Sequence, residues 1–280
     1  KEGKADIVVH QNVNNLMEEI FRGLRTNIQF MLKSDEKVMM FTSSTSGEGK
    51  TFVASNIGIS LALLGKKVIM VGLDIRKPRL AELFQIDNHH NGITNLIVHD
   101  HNSWEDIQKQ IVASGVNSNL DLLMAGPVPP NPGELVTRAS LDDIINQLKQ
   151  HYDYVILDTA PVGLVNDSLQ LGRLADLCVY VCRADYTPKA SFGMINGLSA
   201  ETNCLTCASC STALTSQRRN TVSTTEWANM ANMASMVTMV TMEAMVHTES
   251  MASTVLTANT EATATIATAI TAMPTTQVSR

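Results

Sequence analysis

Between Thr42 and Thr51 the chain reads Thr-Ser-Ser-Thr-Ser-Gly-Glu-Gly-Lys-Thr, combining glycines, hydroxyls and a lysine in the order a phosphate-binding loop uses. Glycines let the main chain come close enough for its N–H groups to wrap a phosphate, and a helix N-terminus directly after the loop adds positive potential. Lys50 would reach the outer phosphate oxygens, and the Thr51 hydroxyl would face a divalent cation such as Mg²⁺. The generic pattern has Gly at position 44, where this chain has Ser. A Gly-Ser turn that merely caps a helix would read similarly, so the flanking elements decide between the two.

A nucleotide site also needs carboxylates at the carboxyl ends of neighbouring strands, to hold a metal and to polarise a hydroxyl. Asp158 follows the apolar run Tyr154 to Leu157, and Asp74 follows the run Val68 to Val71. Either acid alone could be a strand-end cap. Together with Lys50 they predict three strand ends aimed at one phosphate site.

The elements that must position these residues are legible from apolar periodicity. Lys37 to Thr42 reads as a buried strand, and Thr51 to Leu64 follows with helical spacing that Gly65 can end. Further buried strands are expected at Val68 to Val71, Leu120 to Met124, Tyr154 to Leu157 and Leu177 to Cys182, with a helix at Leu141 to Gln150. Apolar strands alternating with amphipathic helices predict an α/β fold: a doubly wound, mostly parallel sheet with helices on both faces, of the P-loop NTPase type.

Composition narrows the function. A net charge of −6 argues against nucleic acid as a partner, because a phosphate backbone needs a basic face. No stretch reaches the roughly 18 apolar residues of a spanning helix. The chain opens on Lys1 rather than Met, as expected of a segment of a longer protein whose other parts cross a membrane. Cys178 and Cys182 lie in an apolar run and read as small core residues. Cys204, Cys207 and Cys210 have metal-ligand spacing without a fourth partner nearby, and we expect no metal there.

Taken together, the motifs resemble those of the bacterial protein-tyrosine kinases, the capsule-assembly relatives of the plasmid- and division-site-positioning ATPases. Ser46-Gly47-Glu48-Gly49-Lys50-Thr51 is similar to the family's first nucleotide motif, and Gly72-Leu73-Asp74-Ile75-Arg76-Lys77-Pro78 to its second. Val155 to Pro161 is similar to the third, and Gly126 to Leu135 to a family loop rich in proline. The positioning ATPases carry a second lysine where this chain has Thr45, which favours the kinase branch. The resemblance implies ATP and Mg²⁺ as cofactors, with nucleotide contacts from Thr45, Ser46, Gly47, Glu48, Gly49, Lys50, Thr51 and Phe52. It implies catalytic roles for Lys50, Asp74 and Asp158, and metal contacts from Thr51, Asp74 and Asp158. It also implies a ring of neighbouring subunits joined through Glu19, Arg22 and Arg25. A membrane-spanning polysaccharide co-polymerase and a tyrosine phosphatase would be partners, and the place of work would be the cytoplasmic face of the bacterial plasma membrane. One departure is visible: the second motif usually has two acids one residue apart, and the first is Gly72 here.

After about Ala200 the composition changes. Residues 201–280 contain no Gly, Tyr or Phe, and Met230, Met233, Met236, Met239, Met242 and Met245 recur every three residues. That period matches neither a helix nor a strand. Shifting the codons of Asn-Met-Ala by one base can yield Lys-Tyr-Gly, the kind of segment with which the family's chains end. We therefore expect a kinase domain over residues 1–200, whose first 36 residues form a helical subunit-contact region, and then an irregular, disordered tail read out of frame. The alternatives are a nucleotide-dependent regulatory switch that transfers no phosphate, and a defective product that binds nothing.

Overall fold

The computed structural model describes residues 7–10, 16–86, 90–164, 167–183, 186–191, 207–213 and 237–243. The chain runs α1 (Leu16–Met31), β1 (Val38–Ser43), α2 (Lys50–Ala62), β2 (Val68–Leu73), α3 (Leu80–Leu83), α4 (Ile93–Val98), α5 (Trp104–Gln110), β3 (Ile111–Ala113), β4 (Leu120–Leu123), α6 (Pro132–Leu135), α7 (Ala139–His151), β5 (Tyr154–Thr159), α8 (Asp167–Leu171) and β6 (Leu177–Arg183). Two strands follow, β7 (Cys207–Ala213) and β8 (Val237–Glu243).

Alternate residues of a strand face opposite sides, so a strand apolar throughout needs cover on both. In β1, Met39 and Phe41 join a core with Phe21, Leu24 and Ile28 of α1 and Val53 and Ile57 of α2. Val38 and Met40 join a second core with Leu141, Ile144, Ile145 and Leu148 of α7. The sheet order is β3-β4-β2-β5-β1-β6-β7-β8. Among the described strands only the three-residue β3 runs antiparallel to its neighbour. Strand starts are fixed by side chains: both oxygen-seeking amides at the head of β1, Lys37 N and Val38 N, donate to Asp176 Oδ2 at 2.8 Å.

The doubly wound sheet is as the sequence predicts. Within the tail, the described segments are two strands, β7 pairing in parallel with β6 and β8 with β7. β7 takes up the N–H and C=O groups on the side of β6 that faces away from β1. The β-branched Val237, Thr238, Val240 and Thr241 also suit a strand. The remaining expectations for the tail, disorder included, fall outside the described residues. By backbone contacts the chain divides into residues 1–244 and 245–280.

Candidate functional site

The carboxyl ends of β1, β5 and β2 lie side by side, and each delivers one of the residues singled out from sequence. The loop after β1 turns through Gly47 (φ 91°) and Gly49 (φ 94°), left-handed conformations that cost a side-chain-bearing residue energy. α2 begins at Lys50, so the loop closes onto a helix N-terminus as the phosphate reading requires.

Beneath the loop, the Lys50 ammonium is ion-paired with Asp158 Oδ1 and donates to Thr51 Oγ1 at 3.3 Å. Thr51 Oγ1 in turn lies 2.9 and 3.1 Å from the two Asp158 oxygens. Lys50 is 7% exposed and Asp158 1%, so opposite charges meet where water screens them little. Asp74 joins them through the backbone: its N–H donates to the Asp158 carbonyl at 2.9 Å. Its side chain accepts from Lys77 N at 3.0 Å. Burial pushes the Asp74 carboxyl above the ordinary range, opposed by the Lys50 charge and reinforced by Asp158. Asp74 and Asp158 both line a cleft whose other walls include Gly72, Pro78, Leu80 and Met124.

Oxygen donors from Thr51 and Asp158, within hydrogen-bond distance of one another, fit Mg²⁺, which takes few protein oxygens and fills its shell with phosphate and water. Among the described residues no cluster of three or more His, Cys, Asp or Glu forms a self-sufficient metal site. The Gly72 departure has a structural side: a Cβ there would stand 3.1 Å from Ala125 N, because the backbone just after β4 passes close to this point.

Glu48 acts differently from a simple loop residue. It is buried, and its carboxylate accepts from Ser44 Oγ at 2.5 Å, from Thr45 N at 2.8 Å and from the Thr187 hydroxyl. The end of β6 and the segment after it thus brace the phosphate loop, with Arg183 Nη1 donating to Gly47 O at 3.1 Å and Tyr186 Oη to Ser46 O at 3.0 Å. Sequence reasoning missed Arg183, Tyr186 and Thr187. The one available signal was that they follow closely on the predicted buried strand Leu177 to Cys182.

Phe52 places its ring 5.7 Å from Phe21 in an edge-on contact, tying the loop's helix to α1. On α1 the three charged residues part company. Arg22 is paired with Glu19 at 2.9 Å on the exposed face. Arg25 is turned inward and donates to Ser60 O and Ser60 Oγ, both at 3.0 Å.

Comparison with known proteins shows the family and the fold. The profile of the family described as AAA domain matches residues 36–172. The tyrosine-protein kinase YwqD of Bacillus subtilis is 33% identical over 187 residues, spanning 66% of this chain and 76% of that one. Among solved structures, the chimerical protein CapA2B2 aligns with a TM-score of 0.65 at 29% identity, covering 74% of this chain and 90% of its own. The kinase domain of the Escherichia coli tyrosine kinase ETK aligns with a TM-score of 0.65 at 25% identity, covering 73% and 79%. Among the described residues no helix is long and apolar enough to cross a membrane.

Proposed function

Because the chain belongs to the bacterial tyrosine-protein kinase family, we propose that it transfers the γ-phosphoryl group of ATP to protein tyrosines, with Mg²⁺ as cofactor. The observation that carries this reading is the buried contact of Lys50 and Thr51 with Asp158 under the phosphate loop, beside the cleft that holds Asp74.

Phosphoryl transfer asks for positioning and charge stabilisation more than for covalent help. The amides of Thr45 to Phe52 cradle the phosphates, and Lys50 turns from Asp158 to the transferring group and neutralises its charge. Thr51 and Asp158 would hold Mg²⁺, with Asp74 close by, and the metal supplies further neutralisation of phosphate charge. Asp74, half-buried in the cleft wall, faces the incoming tyrosine hydroxyl and takes its proton, a task its raised pKa suits. Transfer from labelled ATP to a tyrosine-containing polypeptide, with Lys50→Met as the blank, tests the reading. Equal label in both chains would refute it.

The wider setting is proposed with it: regulation of capsular or exopolysaccharide synthesis and export at the cytoplasmic face of the plasma membrane. The partners would be a membrane-spanning co-polymerase, a tyrosine phosphatase and ring neighbours contacted through Glu19 and Arg22. We read the tail after about residue 200 as out of frame, which sequencing the encoding DNA tests. A second reading, a nucleotide switch without transfer, is favoured by one observation. Gly72 leaves the cleft with one carboxylate fewer than the family motif, in a place where Ala125 N leaves little room for a side chain. Nucleotide binding with no label transferred would select it.

A further inference from the structure

The chain has four tyrosines, at positions 152, 154, 180 and 186, and a tyrosine kinase that modifies itself must choose among the hydroxyls it can present. Tyr180 lies in β6 and is wholly buried. Tyr152 is 8% exposed and donates its hydroxyl to Asp121 Oδ2 at 2.8 Å. Tyr154 begins β5, at the amino end of the sheet, and its hydroxyl accepts from Gln29 Nε2 at 3.4 Å. Tyr186 differs from all three. It is 50% exposed, and its hydroxyl makes a solvent-accessible bond to Ser46 O, which water can replace.

We propose that Tyr186 is the acceptor site for self-phosphorylation within this chain, and that the phosphoryl group comes from a second copy; this rests on the kinase reading above. The second copy follows from strand order. Asp158 and Asp74 end β5 and β2 on one flank of β1, whereas Tyr186 follows β6 on the other flank. The Tyr186 hydroxyl rests on Ser46 of its own phosphate loop, and Tyr186 is not among the residues that line the cleft holding Asp74. In the donating copy the bond between Pγ and the bridging oxygen of the β-phosphate breaks, and a bond from Pγ to the Tyr186 oxygen forms. ADP leaves, and the phenolic proton passes to Asp74 of the donor. Arg183, whose guanidinium lies 5.1 Å from the Tyr186 ring centre, supplies a nearby positive charge for the phosphate dianion.

The test mixes the active full chain with a size-tagged Lys50→Met chain, which cannot label itself, in the presence of labelled ATP, Mg²⁺ and a tyrosine polypeptide. The expected result is label on the tagged chain that is lost in tagged Lys50→Met/Tyr186→Phe. Melting curves check that the tagged chains are folded. Mass-spectrometric mapping on the unsubstituted chain locates the site without any variant. Label that persists in the double variant, maps to Tyr152, Tyr154 or Tyr180, or stays on the active chain alone overturns the proposal. Label on the polypeptide with none on either chain overturns it while leaving the kinase reading standing; label nowhere removes both.

Discussion

Asp74 carries the most instructive chemistry of any single residue, because burial makes its charge costly while Lys50 only partly offsets that cost. Its folded pKa is raised above the unfolded value, so folding favours the protonated acid. The stability this represents is complete below the unfolded pKa and is lost as pH rises through the folded one. Asp74→Asn should therefore raise the melting temperature of the metal- and nucleotide-free protein at neutral pH, with the difference closing as pH falls towards about 4. The same variant should transfer phosphate more slowly; a melting temperature lower than the parent's at pH 7 would show that the carboxylate is stabilised instead. Glu48 is a buried carboxylate that accepts from three donors. Glu48→Ala leaves those donors facing a void and should cost about 1.5–3 kcal/mol, while raising KM for nucleotide more than it lowers kcat. Glu48→Gln should recover part of both. That Glu48 belongs to the loop is plain in the sequence. That it holds Thr187 is not, because periodicity and motif spacing carry no information about a contact between residues so far apart.

At the scale of elements, α1 shows how spacing can mislead about which way a charge points. Glu19, Arg22 and Arg25 share a three-residue interval suited to one helix surface, yet only the first two stay on the exposed side. Arg25 spends two donors on Ser60 of α2, so Arg25→Ala should lower stability by about 1 kcal/mol, read in a urea melt. Arg22→Glu should leave that melt nearly unchanged, since exposed ion pairs contribute little. It should instead lower the assembled fraction seen by analytical ultracentrifugation if this face joins subunits. The strands β1, β2, β4, β5 and β6 were legible within about two residues, because each is a continuous apolar run and parallel sheets buried on both faces demand such runs. β3 was not, being three half-exposed residues directly after a helix. β7 was hidden for another reason: Cys-Ala-Ser-Cys-Ser-Thr-Ala has neither alternation nor bulk, and its pairing depends on the edge that β6 offers.

For the whole molecule, that edge decides how much of the chain the fold needs. Residues 177, 179 and 181 of β6 are core to the α1 and α2 side, so β6 cannot leave the sheet without exposing that core. Its far side pairs with β7 from Cys178 to Arg183. A chain cut after residue 244 keeps the eight-stranded sheet and should melt as the full chain does. A chain cut after residue 206 keeps every residue of the phosphate site but bares a buried, apolar strand along its hydrogen-bonding edge, a template for pairing with another chain. It should aggregate on warming, seen as light scattering that rises with protein concentration, and Mg²⁺ with ATP should delay this by stabilising the folded form. If instead the shorter chain stays monodisperse and melts like the longer one, β7 and β8 contribute nothing to the sheet. The globular unit would then end with β6 and the loop that braces the phosphate site.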